Sequence, residues 1–235
     1  APMATARDYH AVAMLDGKLY AVGGLASCTL WEAATTTAAS SAQSSGTTRR
    51  RTNDDDEDGT LSSVERYDPG TDAWEAVAPM ATARETHGVA MLDGKLYAVG
   101  GYDGGNLSSV ELYDPAADAW EEVAPMAEER DGLTVTVLDG KLYAVGGCNN
   151  DDGGTLSSVE RYDNNNDGGD NRLSSVERYD PVENVWEAVA PMATARYSLG
   201  VAVLNGRLYA AGGYDGGNLS SVERYDPAAG AWETV

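Results

Sequence analysis

The phrase LDGKLYAVGG begins at Leu15, Leu92 and Leu138 and returns as LNGRLYAAGG at Leu204, so the chain writes one short structural unit four times. Each unit opens on Ala-Pro-Met, at Ala1, Ala78, Ala124 and Ala190, which divides the 235 residues into segments 1–77, 78–123, 124–189 and 190–235. The second and fourth segments are 46 residues long and differ at only 10 positions; the first is 31 residues longer and the third 20 residues longer. Periods of this size mark solenoids, propellers and related arrays, whose units bury apolar surface only against their neighbours. The repeats predict a single array, residues 1–235, sharing one layered core. Function then belongs where the copies differ.

Composition narrows the partners. With 16 Lys and Arg against 38 Asp and Glu, the net charge of −22 repels phosphates and anionic headgroups, so nucleic acid and membrane are not expected as partners. No stretch approaches the length of an apolar membrane span, and Ala1–Arg7 already reads as repeat instead of signal peptide, which leaves the compartment unassigned. Cys28 and Cys148 match no zinc spacing and form no disulfide framework; both fall in variable loops.

The uninterrupted second segment predicts one blade. Gly88 to Leu92 is small and apolar, Asp93-Gly94 is a two-residue hairpin signal, and Lys95 to Gly101 resumes β-rich sequence. Leu107 to Tyr113 supplies a third strand that Asp114-Pro115 breaks, and Ala119 to Val123, around Trp120, a fourth. In four antiparallel strands, the loop after the Gly-Gly pair and the loop carrying APMATAR emerge on one face, and the Asp-Gly hairpins on the other.

These residues resemble the kelch repeat: a Gly-Gly pair ending the second strand, then ERYDP, then a Trp seven residues beyond that Tyr. The pattern holds at Tyr67 with Trp74, Tyr113 with Trp120, Tyr179 with Trp186 and Tyr225 with Trp232, beside Gly23-Gly24, Gly100-Gly101, Gly146-Gly147 and Gly212-Gly213. The resemblance implies an all-β fold, a four-bladed kelch-type β-propeller of four-stranded antiparallel blades. Kelch propellers usually carry five to seven blades, and closing four requires about 90° between neighbours. The small residues Ala11, Ala13, Gly88, Ala90, Gly200 and Ala202 on the inner strands favour such a ring, a compact monomer; the alternatives are part of a larger ring and a dimer of eight blades.

Both insertions map to the loop between second and third strands, within 25–60 and 148–172. The third segment contains LSSVERYD twice, from Leu156 and from Leu173; only Tyr179 has its Trp seven residues on, so the second copy is expected as the strand. The first insertion is polar apart from Leu30 and Trp31 and reads as a tolerated loop expansion or a recognition arm.

Arg7, Arg84, Arg130 and Arg196 recur in the loop entering each inner strand. In kelch substrate adaptors the matching arginines contact acidic peptides, so the resemblance implies ligand binding by these four, with Tyr102 and Tyr214 nearby; the same arginines would otherwise pair with Asp or Glu of neighbouring blades. Asp54 to Glu65 satisfies the calcium-loop pattern D-x-[DN]-x-[DN]-G-x5-E, with Asp54, Asp56, Asp58 and Glu65 as ligands, although Glu65 also belongs to the repeated SVERYD strand and a solvated acidic loop explains the run equally. No other cofactor is implied. His10 and His87 hold equivalent places, but the copper-enzyme branch of the family adds a Tyr-Cys cross-link that has no counterpart here. No nucleophile elbow, phosphate loop or zinc-protease motif occurs. The resulting expectation is a non-enzymatic protein-interaction module presenting loops on one propeller face, binding a protein or acidic peptide; the alternative is a structural or engineered repeat scaffold, with calcium bound through the acidic loop, and a remote one is a galactose-oxidase-like metalloenzyme.

Overall fold

Each hairpin dipeptide, Asp16-Gly17, Asp93-Gly94, Asp139-Gly140 and Asn205-Gly206, has both residues at positive φ, between 50° and 74°. That left-handed pair matches the right-handed twist of the strands it joins, which is why an Asp or Asn followed by Gly stands there. The computed structural model describes residues 1–26, 59–149 and 172–235. Among them it is all strand and turn, with no helix.

Four four-stranded antiparallel sheets follow one another. Blade 1 is Ala11–Leu15, Lys18–Val22, Val64–Asp68 and Ala73–Val77, and blade 2 is Gly88–Leu92, Lys95–Val99, Val110–Asp114 and Ala119–Val123. Blade 3 is Thr134–Leu138, Lys141–Val145, Val176–Asp180 and Val185–Val189, and blade 4 is Gly200–Leu204, Arg207–Ala211, Val222–Asp226 and Ala231–Thr234. The sheets follow one another as the blades of a β-propeller. The third strand of blade 3 comes from the second LSSVERYD, paired to Lys141–Val145 on one side and to Val185–Val189 on the other. The register sets Tyr67 opposite Trp74, Tyr113 opposite Trp120, Tyr179 opposite Trp186 and Tyr225 opposite Trp232, with ring centroids 5.2 to 5.3 Å apart.

The loops between second and third strands begin and end at the same points whatever their length. Leu25 bridges Thr60, Tyr102 bridges Asn106, Cys148 bridges Arg172 and Tyr214 bridges Asn218. Long and short connections thus leave from one face, that of the Ala-Pro-Met loops, because Glu85 pairs with Tyr102, Asp131 with Cys148 and Tyr197 with Tyr214 there.

Three apolar clusters lie between blades 1 and 2, 2 and 3, and 3 and 4. Each is pinned by a Tyr from the second strand of one blade meeting a Tyr from the third strand of the next: Tyr20 with Tyr113 and Tyr97 with Tyr179 at 5.8 Å, and Tyr143 with Tyr225 at 6.0 Å. Such aromatic pairs add about 0.5–1.5 kcal/mol beyond the area they hide. Among the described residues no cluster or aromatic pair joins blade 4 to blade 1. The closed four-bladed ring favoured by the small inner residues is therefore corrected to an open arc.

At the axis a chain of backbone bonds links all four blades. Thr86 N–H donates to Tyr9 O at 3.1 Å, Gly132 N–H to Thr86 O at 3.1 Å, and Ser198 N–H to Gly132 O at 3.0 Å. The Tyr9 N–H turns to the Asp8 carboxylate at 2.9 Å.

Candidate interaction face

The four recurrent arginines lie inside the face, not on it. Arg84 bonds through its backbone to blade 1, its N–H to Leu61 O and its carbonyl accepting from Gly24 N–H, while its side chain reaches into blade 2. There Nη1 donates to Gly100 O and Ser109 O, and Nη2 to Ser109 Oγ and Glu111 Oε1. Arg130 repeats this with Gly146, Ser175 and Glu177, and Arg196 with Gly212, Ser221 and Glu223. Arg7 does so with Gly23, Ser63 and Glu65. All four side chains are 0% exposed. These arginines are seam fittings whose Nη donors are already engaged by carbonyls, a serine and a glutamate. The expectation that Arg7, Arg84, Arg130 and Arg196 present a positive ring to an acidic ligand is corrected on that ground.

The partner glutamates are equally committed. Glu65 accepts from Ala4 N–H at 2.7 Å, Thr5 N–H at 3.1 Å and Arg7 Nη2 at 2.9 Å. Burial opposes its ionisation, but the Ala4 and Thr5 amides and the Arg7 guanidinium outweigh that and hold it below the usual carboxylate range. Both oxygens are spent inside blade 1, so Glu65 does not close a calcium shell. Asp54, Asp56 and Asp58 lie outside the described residues, as do Cys28, Leu30, Trp31 and the first LSSVERYD. Among the described residues no group of three acidic, His or Cys side chains is placed to hold a metal ion.

The residues that do line the face are those at which the units diverge. Tyr9, Thr86, Gly132 and Ser198 hold one place in the four units, at the axial backbone chain, and Tyr9, Thr86 and Ser198 are non-glycine residues at φ of 50° to 52°. Tyr9 is 59% exposed. The Thr86 hydroxyl donates to the Asp131 carboxylate, and Cys148 Sγ lies 3.9 Å from the other oxygen of Asp131. Tyr197 packs over Gly132, where an added Cβ would collide with its ring, and burial together with the Asp131 charge pushes its phenol above its ordinary pKa. Sequence reasoning passed over this set; its signal was variation at positions 8 to 10 of each unit between the constant APMATAR or APMAEER and the inner strand.

Tyr102 and Tyr214 stand on this face, on non-adjacent blades, each half-buried. The Tyr102 backbone exchanges two bonds of 3.0 Å with Glu85, and Tyr214 exchanges bonds of 3.1 and 2.9 Å with Tyr197. The Arg172 guanidinium lies 5.0 Å above the Tyr214 ring and 3.8 Å from Asp215. His87 is enclosed in the seam between blades 1 and 2, with neither ring nitrogen hydrogen-bonded among the described residues. Burial, then Arg84 and His10, push its pKa down to about 3, so it is neutral near pH 7.

Comparisons with known proteins agree with this architecture. Models of the kelch motif match residues 6–81, 83–127, 129–166, 164–193 and 195–235. Kelch-like protein 5 of Homo sapiens is 66% identical over 41 residues, which is 17% of this chain and 5% of that protein. Kelch-like protein 36 of Bos taurus is 30% identical over 148 residues, 63% of this chain and 14% of that protein. The chain thus spans a small part of the curated relatives it matches. The solved structure of YjhT superposes with a TM-score of 0.67 at 15% identity, over 97% of this chain and 65% of that one. With the motif recurring from one end to the other and the Tyr-Trp and Gly-Gly pairs in place in all four blades, the chain belongs to the kelch-repeat family.

Proposed function

We propose that the protein is a non-enzymatic interaction module that binds another protein on the face of the Ala-Pro-Met and second-to-third strand loops. The observation that carries this is the divergence of the units at Tyr9, Thr86, Asp131 and Tyr197 over a scaffold that is otherwise repeated. Tyrosines supply large contact area at low entropic cost and are enriched at binding hot spots. Relatives named kelch-like proteins share the repeat.

The charge of the face selects the partner. With the four guanidinium groups neutralised by Glu65, Glu111, Glu177 and Glu223, the loops display Asp8, Asp103, Glu129, Asp131 and Asp215, and Arg172 already faces Asp215. A basic, aromatic-tolerant segment of a protein suits such a surface better than an acidic peptide. Tyr102 and Tyr214 belong to this proposed surface.

Fluorescence anisotropy with a labelled Lys/Arg-rich peptide and its Asp/Glu-rich counterpart tests the reading. Binding of the basic peptide is expected, weakened by salt and by Tyr9→Ala or Asp131→Asn. Preferential binding of the acidic peptide, or basic-peptide binding indifferent to both substitutions, refutes it.

A further inference from the structure

Blades 2 and 4 carry the same five residues between their second and third strands, Tyr-Asp-Gly-Gly-Asn, at 102–106 and 214–218. They also share one backbone. Each Tyr bridges its Asn, each Asp N–H donates to the second Gly O at 3.1 Å, and Leu107 and Leu219 close the loops by donating to Gly101 O and Gly213 O at 2.9 Å. In blade 4 this loop holds a guanidinium. Arg172, which bridges Cys148 in the loop of the preceding blade, lies 5.0 Å above the Tyr214 ring and 3.8 Å from the Asp215 carboxylate. Its Nη1 would stand 3.8 Å from a Cβ added to Gly216, so the glycine lets the cation lie close along the loop. Ring face and carboxylate then attract the same group.

The blade 2 loop differs in what surrounds it. Thr60 bridges Leu25 where Arg172 bridges Cys148, and a threonine is too short to lay a cation on the ring of the next blade. Glu85 pairs with Tyr102 where Tyr197 pairs with Tyr214, which adds a carboxylate to blade 2. Asp103 is exposed, whereas Asp215 is half-buried beside Arg172. The side-chain oxygen and nitrogen of Asn106 are both shielded from solvent and make no hydrogen bond among the described residues. Buried amides are ordinarily paired, so this loop keeps an acceptor that lacks its donor.

We propose that the loop of residues 102–106 is a seat for an arginine side chain of the partner protein, held as residues 214–216 hold Arg172. The seat belongs to the interaction face proposed above and, resting on that reading, gives the face its residue preference on blade 2. The guanidinium plane lies on the Tyr102 ring, with one edge turned to the Asp103 carboxylate and another donating to Asn106 Oδ1. Arginine suits the seat better than lysine, because a planar, weakly hydrated cation stacks on a ring and donates along two edges at once. The blade 4 loop takes its arginine from the chain itself, and the blade 2 loop takes one from outside.

The test is a titration of the isotope-labelled full chain with a Gly-Ser peptide carrying one central arginine, followed by amide shifts in proton–nitrogen correlation spectra. Shifts are expected at Glu85, Tyr102, Asp103 and Asn106. A citrulline peptide, of the same shape without the charge, should cause none, and a lysine peptide should bind about threefold more weakly. Tyr102→Leu and Asp103→Asn should each weaken the arginine peptide by about threefold to fivefold. Thr60→Arg, which copies Arg172, should abolish these shifts, and Arg172→Ser should bring new ones at Tyr214 and Asp215. Should Thr60→Arg lose its β circular-dichroism signal, Arg172→Ser carries the comparison alone. Citrulline or lysine peptides that bind like the arginine one overturn the proposal. So do a folded Thr60→Arg chain that binds like the parent, an Arg172→Ser chain that gains no shifts at Tyr214, and a seat that answers the peptide only once Arg49, Arg50 and Arg51 are replaced by Gln. The Lys/Arg-rich peptide separates this seat from the face that carries it: binding with shifts confined to other loops removes the seat and keeps the face, whereas no binding removes both.

Discussion

The Arg84 guanidinium donates to Glu111 at 3.0 Å, with the two side chains 0% and 3% exposed, and the same pair recurs in every blade. Its position explains why the arginine and the glutamate recur together in every unit although 27 to 58 residues of sequence separate them. The arginine backbone belongs to one blade and its side chain to the next, so one residue sets where two sheets meet.

Removing the charge from Glu111 leaves a buried cation without its counterion. Glu111→Gln is expected to destabilise the protein by about 3 kcal/mol, within the range for breaking a buried pair. Replacing both partners by leucine or methionine should not restore stability. Glu111 also accepts from Ala81 N–H and Thr82 N–H, and Arg84 also serves Gly100 O, so three backbone groups would lose these bonds, while Ser109 O keeps the one it accepts from Gly100 N–H. Urea unfolding of the single and double variants decides this; a double variant as stable as the parent contradicts it.

The turn between third and fourth strands offers a gain as well as a loss. Asp118, at φ 46°, accepts from Tyr113 OH at 2.8 Å and Ala78 N–H at 3.0 Å, and Asp72 and Asn184 accept from Tyr67 and Tyr179 in the same way. Asp118→Ala loses two hydrogen bonds and should cost about 2 kcal/mol. Blade 4 has Gly230 there, at φ 62°, and Gly230→Asp supplies an acceptor for Tyr225 OH and Ala190 N–H. A net gain of about 1 kcal/mol raises Tm by about 2–4 °C for a chain of this size. Differential scanning calorimetry reads both changes.

His87 makes stability depend on pH. Its folded pKa of about 3 lies below the ordinary histidine value of 6.5, so the unfolded chain binds the proton first as pH falls. Stability is complete above pH 6.5 and is lost progressively toward the folded pKa, at about 1.4 kcal/mol per pH unit. Carboxylates add their own loss only below their ordinary range, so the interval from pH 6.5 to 5 reports the histidine. Leu133 and Leu199 fill the same place in blades 3 and 4, and His87→Leu should flatten Tm across that interval while raising it near pH 7. A Tm that still falls as steeply in the variant rules the histidine out as the cause.

The fold was legible because the repeat aligns four copies of each turn and aromatic. Asp-Gly at the hairpin and Tyr with Trp seven residues on fix strand ends and register locally, whatever the neighbouring blade does. The choice between the two copies of LSSVERYD rested on that same local spacing. Closure was not legible, because it depends on the angle that Tyr20, Tyr97 and Tyr143 impose between sheets, a sum over seams that no single unit displays. For the arginines, pairing with a carboxylate was open in the sequence beside ligand binding, but which carboxylate was not: the bond of Arg84 to Glu111, across 27 residues of sequence, appears only when the loop folds back over the third strand.

Gly101 tests how closely the seam backbones approach. A Cβ added there would stand 2.6 Å from Glu85 O and 2.7 Å from His87 Cβ, at φ 99°, a backbone angle that side chains rarely adopt. Both neighbours belong to the loop that carries Arg84, so the strain falls on the junction of blades 1 and 2 and has no flexible side chain to absorb it. Gly105, four residues on at the tip of the same connection, has open space around an added Cβ and no positive φ. Gly101→Ala is expected to destabilise by about 3 kcal/mol or more, combining backbone strain with overpacking. Gly105→Ala should be neutral or gain about 0.5 kcal/mol through a less flexible unfolded chain. Equal unfolding midpoints for the two variants would mean that the Gly-Gly pair serves no close approach, and the seam geometry built on it would fail with it.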